Sequence, residues 1–430
     1  MKKIFIILFL IFSSLFCQDF LKIEDCIKIA VSQNLNLKIT KDKIEESYYQ
    51  KEIARKYSLP FLSFSFNYIY LGENEGIQIG NFPPVKFVED NQYIFKLTLN
   101  QPLFTGKKIE TNYEISKESY EKAKIDYEKQ LNDLIFDVKR SYFEILKAKR
   151  LLQTSEKYKE TLEKHLQDAK SLFNQGLVTK LDILKTEVAL KDAETKIIEC
   201  ENYLKISKSN LNFILNRDIN SEFDIEDILE IKEDEKPYDF WKETALKERD
   251  EIKSFEKILS IYEKNIRVEK SNLYPQVYFF FNYNLEKGTQ TSKEDFDTNW
   301  NTGVLFSYDI WNWGQTKDKI EKAKKEKEEI EKNYQLLKNS IELEVKNSYL
   351  NFLSSKEKVE KSKKEIEFAE ENLRIAQLLY KEGMATTTDV IDAINSLTNA
   401  KNNYYNSLYD YKISYNQLKK VCGILKMEAK

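Results

Sequence analysis

The chain has 430 residues but only 10 glycines and 6 prolines, with 32 % charged and 13 % aromatic residues. So little turn material implies long helices beside a separate aromatic-rich part, and it excludes disordered, collagen-like and disulfide-framework classes. Lys+Arg 68 against Asp+Glu 71 leaves a formal net charge of −3 and no basic field for nucleic acid, and a single histidine, His165, argues against a histidine metal centre or a Ser-His-Asp machine. We therefore expect no enzyme, no metal site and no cofactor.

From the N-terminus, Lys2 and Lys3 precede the apolar run Ile4 to Phe12, followed by Ser13, Ser14, Leu15, Phe16 and Cys17. That pattern reads as a signal peptide over 1–17, shorter than the ~20 residues of a spanning helix. Among the cysteines, Cys17, Cys26, Cys200 and Cys422 have spacings that suit neither a zinc site nor a redox pair, so Cys26, Cys200 and Cys422 read as buried thiols.

The rest is written twice. Phe173 to Leu184 (Phe-Asn-Gln-Gly-Leu-Val-Thr-Lys-Leu-Asp-Ile-Leu) matches Tyr380 to Ile391 (Tyr-Lys-Glu-Gly-Met-Ala-Thr-Thr-Thr-Asp-Val-Ile) at an offset of 207. Ser141 to Leu146 matches Ser348 to Leu353 at the same offset, Leu103-Phe104-Thr105-Gly106 lies over Trp311-Asn312-Trp313-Gly314, and Pro60 lies over Pro275. Four matches in one order indicate an internal repeat rather than chance between helices. The expected organisation is a first repeat over 18–216, an acidic connecting segment over 217–236, a second repeat over 237–423 and a tail over 424–430. Each repeat runs helix, strand, strand, long helix, turn, helix.

Four runs alternate with period 2: Leu62 to Tyr70, Tyr93 to Asn100, Gln276 to Leu285, and Thr302 to Ile310, with aromatic or aliphatic residues at every second place. Their length of roughly ten residues suits a tilted transmembrane strand. Tyr68, Tyr70, Tyr93, Tyr283, Trp300, Trp311 and Trp313 gather toward the strand ends as interfacial aromatics do, and Leu71–Asn91 and Glu286–Asn299 read as polar loops. Four strands cannot close a barrel, and an open edge in lipid leaves backbone groups unpaired at several kcal/mol each. Three copies supply about twelve strands, enough for an aqueous pore.

Helices are expected over Glu24–Lys56, Lys107–Leu172, Lys180–Asn216, Tyr238–Asn272, Gln315–Lys381 and Thr387–Cys422. At 1.5 Å per residue the longest reach ~100 Å. Tyr120, Ala123, Tyr127, Leu131, Leu134, Val138, Tyr142 and Ile145 recur with an eleven-residue period, the spacing of near-straight staves. The fold class is mainly α with a small β part: an internally duplicated protomer giving four helical staves and four strands to a trimeric 12-stranded β-barrel continued by an α-helical barrel. A soluble periplasmic coiled-coil adaptor or scaffold without a membrane barrel is the alternative, and it leaves the strands without a purpose.

On these residues the chain resembles the outer membrane efflux (TolC) family over nearly its whole mature length. Leu21 to Ala30 with Asn34 is similar to the family's first helix, and Gly383-Met384-Ala385-Thr386-Thr387-Thr388-Asp389-Val390-Ile391-Asp392-Ala393 to the turn at its periplasmic tip. The resemblance implies a homotrimeric channel-tunnel in outer-membrane lipid, with its helical part in the periplasm. It would serve efflux or type I secretion with a periplasmic adaptor protein and an inner-membrane transporter. It also implies a periplasmic gate of Asp389, Asp392, Tyr380 and Asp182, and adaptor-docking turns at Gly176, Leu177, Thr179, Gly383 and Thr386. Asp389 and Asp392, three apart on one helix face, would form a ring of carboxylates under threefold symmetry. The first repeat has Lys185 where the second has Asp392, and Ala385 stands where the family carries a tip-closing Arg.

Overall fold

The computed structural model describes residues 19–72, 76–78, 80–82, 84–228, 236–290 and 295–428. The expected signal peptide with Cys17 lies outside them, as do 229–235 of the connecting segment. In chain order the elements are β1 (Asp19–Leu21), α1 (Ile23–Gln33), α2 (Leu35–Lys56), β2 (Phe61–Tyr70), β3 (Asn91–Phe104), α3 (Lys108–Asn174), α4 (Lys180–Ile214), β4 (Phe223–Ile225), α5 (Tyr238–Glu248), α6 (Asp250–Ser271), β5 (Gln276–Lys287), β6 (Asp297–Ser307), α7 (Gln315–Lys381) and α8 (Thr387–Val421), closed by a 3₁₀ turn over Leu425–Glu428. They divide into a helical unit (residues up to 41, 125–253 and from 336) and a sheet-bearing unit (42–124 and 254–335).

In the sheet-bearing unit four antiparallel strands stand in the order β2-β3-β5-β6. The helices that enter and leave them keep the same order. Tyr48 of α2 meets Tyr120 of α3 edge-on, Glu118 and Glu114 of α3 pair with Lys257, Lys264 and Arg267 of α6, and Phe255 of α6 stacks on Tyr334 of α7. Lys257 and Lys264 hold the Glu118 carboxyl below its ordinary value, outweighing the opposing effect of burial, the largest single influence on it. β2 and β6 are the free edges.

The helical unit is built on the eleven-residue stripe. Leu131, Leu134, Val138, Tyr142 and Ile145 are buried, packed with Cys26 and Ala30 of α1, Leu211 of α4, and Phe223 and Ile225 of β4. Each such side chain contributes about 1.5–3 kcal/mol on burial. β1 pairs in parallel with β4, and the Tyr142 hydroxyl donates to the carbonyls of Leu21 (3.2 Å) and Glu226 (2.8 Å), tying both to α3. Cys26, Cys200 and Cys422 are buried free thiols, and burial pushes those of Cys26 and Cys422 up to about 12.

Four expectations need correction. The helix expected over Glu24–Lys56 is two, meeting at Asn34, and that over Tyr238–Asn272 is two, meeting at Arg249. Both junction residues have ψ 126°, and each amide donates to the carbonyl four residues back, Ala30 or Ala245. Asn34 and Arg249 stand 215 apart, the offset of Pro60 and Pro275, so the kink is duplicated with the rest. The connecting segment, expected without a long helix, contains β4, whose partner is β1, and is not among these corrections. β3 starts at Asn91, β5 runs on to Lys287 and β6 starts at Asp297, so the loops are shorter than expected, while β6 ends at Ser307 rather than Ile310. Trp311 and Trp313 therefore lie beyond the strand.

Candidate functional site

Cross-strand register gives the sheet two chemically opposed faces. On one, Phe64, Leu97 and Tyr283 follow Trp300 across the four strands, and Phe66, Phe95 and Leu285 form the next row. Phe66 stacks on Phe95 with centroids 4.6 Å apart, Tyr68 lies 5.2 Å from Tyr93, and Phe281 stacks on Trp300. Phe64, Trp300 and Val304 are 67 %, 66 % and 60 % exposed, a contiguous apolar surface of the kind that marks contact with lipid or protein. The opposite face carries a polar ladder. Thr98 donates to Asn282, Asn282 to Asn301, and Asn284 to Asn299, each at 2.9 Å, beside Lys96 and Ser65. Apolar outside and hydrogen-bonding inside is the division a pore wall requires.

The second constellation lies where α3 turns into α4 and α7 into α8. Both long helices end in the same way: Leu177 N–H donates to the Leu172 carbonyl and Met384 N–H to that of Leu379, with Gly176 and Gly383 at φ 78° and 75°. That left-handed position is why glycine stands there. Thr179 and Thr386 then cap α4 and α8. The Asp182 carboxylate accepts from the Thr179 amide (2.9 Å) and hydroxyl (2.7 Å), and the Asp389 carboxylate accepts from the Thr386 amide and hydroxyl, both at 2.7 Å. These bonds, the hydroxyl's first, hold both carboxyls below the usual carboxylate range. A threonine cap with an acid three residues on is a capping box, with Asp in place of the usual Glu.

The gate residues expected from sequence fall at this turn in different states. Asp389 and Asp392 are exposed, Asp182 is half-buried and Tyr380 is buried. The Tyr380 hydroxyl accepts from Thr387 (3.2 Å), and its ring stands edge-on to His165 at 4.9 Å. Gly176, Leu177, Thr179, Gly383 and Thr386 all lie on the exposed turns.

Sequence reasoning missed His165. Its Nε2 lies 3.0 Å from Thr387 Oγ1, and since that hydroxyl donates to Tyr380, the imidazole N–H is the donor to Thr387. The relay joins α3 of one hairpin to α7 and α8 of the other, within a cluster of Leu162, Ala193, Leu373, Val390 and Ile394. Burial lowers the His165 pKa against the pull of Asp168 and Asp182. At the surface Lys185 of α4 donates to Thr388 of α8 at 3.0 Å, a second link between hairpins. The signal available in sequence was the lone histidine itself, placed three turns before Gly176.

The family model described as "Outer membrane efflux protein" matches residues 26–217 and 241–424. The alkaline protease secretion protein AprF of Pseudomonas aeruginosa is 20 % identical over 425 residues, covering 94 % of this chain and 86 % of its own. Among solved structures, CusC superposes with a TM-score of 0.80 at 16 % identity over 93 % of this chain and 91 % of its own. The Campylobacter jejuni CmeC outer membrane channel does so with a TM-score of 0.80 at 18 % identity, over 93 % and 85 %.

Proposed function

Because this chain belongs to the outer membrane efflux protein family, we propose that it works as one third of an export duct whose parts are the two sites above. It is a subunit of an outer-membrane channel. Its sheet contributes four strands to a closed barrel, and edges β2 and β6 are satisfied by the neighbouring subunits. The aromatic face meets lipid and the Asn282–Asn301 ladder faces the water-filled bore. Repeats 18–216 and 237–423, joined by 217–236, form the wall, residues 1–17 are removed on export, and the segment expected as a tail over 424–430 docks on the wall through Leu425 and Lys426.

The turns carrying Gly176, Leu177, Thr179, Gly383 and Thr386 form the end that docks a periplasmic adaptor, through which an inner-membrane transporter feeds the duct. Asp389 and Asp392 from three subunits make a ring of six carboxylates there, backed by Asp182 and Tyr380, that draws cations and repels anions. The name of the relative AprF is that of a secretion protein, and cargo of protein size is compatible with a bore of about twelve strands.

The observation that carries this reading is the sheet, with one broad apolar face exposed, the other polar, and both edges open in a single chain. A soluble scaffold would have to hide that face. Purification from the membrane fraction in detergent should give a trimer with discrete conductance steps in planar bilayers. A monomer that stays soluble without detergent would sink the proposal.

A further inference from the structure

One chain contains a seam between its two repeats, where the exit strand β3 of the first meets the entry strand β5 of the second. Tyr93 stands opposite Lys287, and the register continues to Pro102 opposite Tyr278. Residues after Asn100 have no partner in β2, whose pairing stops at Phe61 opposite Asn100, so Gln101–Phe104 are strand because β5 meets them. The duplication transfers this seam onto the open edges. Phe61 opposite Asn100 corresponds to Gln276 opposite Ser307, which sets an offset of 215 for entry strands and 207 for exit strands. The counterparts of Gln101–Phe104 are then Tyr308–Trp311, the stretch where β6 stops although its alternation continues.

The backbone just beyond tells the same story. Gly106 and Lys107 have φ 61° and 68°, and Trp313 and Gly314 have φ 56° and 84°. Gly106 presses on the second repeat, for a Cβ there would come within 2.5 Å of the Ser271 carbonyl and 3.0 Å of Tyr274 Cβ. The entry-side counterparts of Ser271 and Tyr274 are Lys56 and Leu59. These two line an apolar recess of about 940 Å³ with Tyr57 and Phe61 beside the edge strand β2, and with Pro102 of β3 and Tyr278 of β5. Trp313, by contrast, is 88 % exposed and held in a left-handed conformation that bulky residues rarely adopt.

We propose that Trp313 of each subunit fills the Lys56–Leu59 recess of the next, and that β6 continues through Trp311 by pairing with that subunit's β2 in the register of the internal seam. Thr302 then stands opposite the neighbour's Tyr70, Val304 opposite Tyr68, Phe306 opposite Phe66 and Tyr308 opposite Phe64. All eight lie on the lipid-facing side, which a slip of one residue would break. Strand register and the paired positive φ values shift the sequence match by one, placing Trp313 rather than Gly314 at the position of Gly106. The second seam therefore cannot copy the first atom for atom, and the recess supplies the space for the indole. Trp311, edge-on to Trp313 at 5.8 Å, moves with it. The inference rests on the trimeric reading above.

The test uses full-length chains in outer membranes. Val304→Cys with Tyr68→Cys should oxidise to covalent dimers and trimers, at least about tenfold faster than Val304→Cys with Phe66→Cys, because a thiol pair closes only at short Cα separation. Trp313→Cys with Leu59→Cys should do the same. Trp313→Gly relieves the backbone, so a role confined to one chain predicts a more heat-resistant protein, whereas the seam predicts a trimer that falls apart at lower temperature. A faster slipped pair overturns the register, and a silent Trp313–Leu59 pair beside a reactive Val304–Tyr68 pair overturns the recess. In either case the trimer stands. No intersubunit product from any pair, with a monomer by light scattering, would mean that the trimeric reading itself had failed.

Discussion

At the first hairpin turn Gly176 is followed by the Thr179–Asp182 cap and then Lys185, whose ammonium reaches across to Thr388. At the second, Gly383 is followed by the Thr386–Asp389 cap and then Asp392, exposed and three residues from the capping acid. Phe173 lies exposed near the end of α3, where α7 has the buried Tyr380 bound to Thr387 and packed on His165. Backbone geometry is thus duplicated to within a few degrees while the side chains around the two turns are not. The first turn is a positively charged clasp. The second holds the two nearby carboxylates and the buried polar relay, so the chemical asymmetry between the turns is concentrated there.

The largest expected effect breaks the charge difference. Asp392→Lys gives the second turn the first turn's chemistry. On the carboxylate ring proposed above, reversal-potential measurements should find cation preference in the unaltered channel and its loss, with that of divalent-ion block, in the variant. Asp389→Ala with Asp392→Ala should act in the same direction, but it also removes a cap, so the pair of variants separates charge from local structure. Selectivity unchanged in both would remove the carboxylate ring from the gate.

Next in size is the relay. Thr387→Val leaves the His165 N–H without an acceptor and the Tyr380 hydroxyl without its donor, at about 1–3 kcal/mol for each buried orphan. Amide hydrogen exchange should accelerate around residues 380–390 and hardly at all around 173–183. Equal acceleration at both turns would show that the hairpins are not held by an asymmetric link.

The caps make the matching prediction of equality. Thr179→Ala and Thr386→Ala should each loosen the first turn of their helices by ~1 kcal/mol, read as local exchange. The capping aspartates, held below the ordinary carboxyl range, give support that is complete above an unfolded-state pKa of about 3.9 and lost as pH falls through the lower folded-state value. Both turns should therefore be indifferent to pH between 7.5 and 5 as far as the caps are concerned.

Most of this fold is written in local pattern. A helix such as Gln315–Lys381, with no glycine or proline inside it, declares its own ends, and the turns at Gly176 and Gly383 declare theirs. What escaped depends on partners far away in sequence. The kink at Asn34 needs neither Pro nor Gly, because the Asn34 side chain takes the Leu37 amide and gives to the Ile214 carbonyl. Three-residue strands β1 and β4 exist only as a pair. β6 is an edge strand paired, among the described residues, only with β5, and it ends at Ser307 although its alternation runs on to Ile310. Of the tip, the turn residues and acids were legible, but the Thr387 partner of Tyr380 was not, and His165 counts in the sequence only as evidence against catalysis. A lone buried polar residue announces nothing until its neighbours are known.

His165 supplies the smallest effect and the finest discriminator between the two turns. Burial depresses its pKa, so the folded tip favours the neutral ring that donates through Nε2 and packs on Tyr380. The groups facing it are Asp168 on its own helix, Asp182 on α4, and the uncharged Tyr380 and Thr387. The two acids favour the charged ring and burial outweighs them. For a group shifted downward, the stabilisation is complete above the unfolded-state value near 6.5 and is given up as pH falls toward the folded-state value. Exchange at 380–390, corrected for intrinsic chemistry, should therefore rise between pH 7.5 and 5, while exchange at 173–183, whose cap is indifferent to this range, should stay level. His165→Gln keeps an N–H donor for Thr387 and cannot titrate, so it should flatten the rise without loosening the tip at pH 7.5. A rise that survives in His165→Gln would move the pH dependence onto the carboxylates, and with it the claim that the second turn is held by a neutral imidazole.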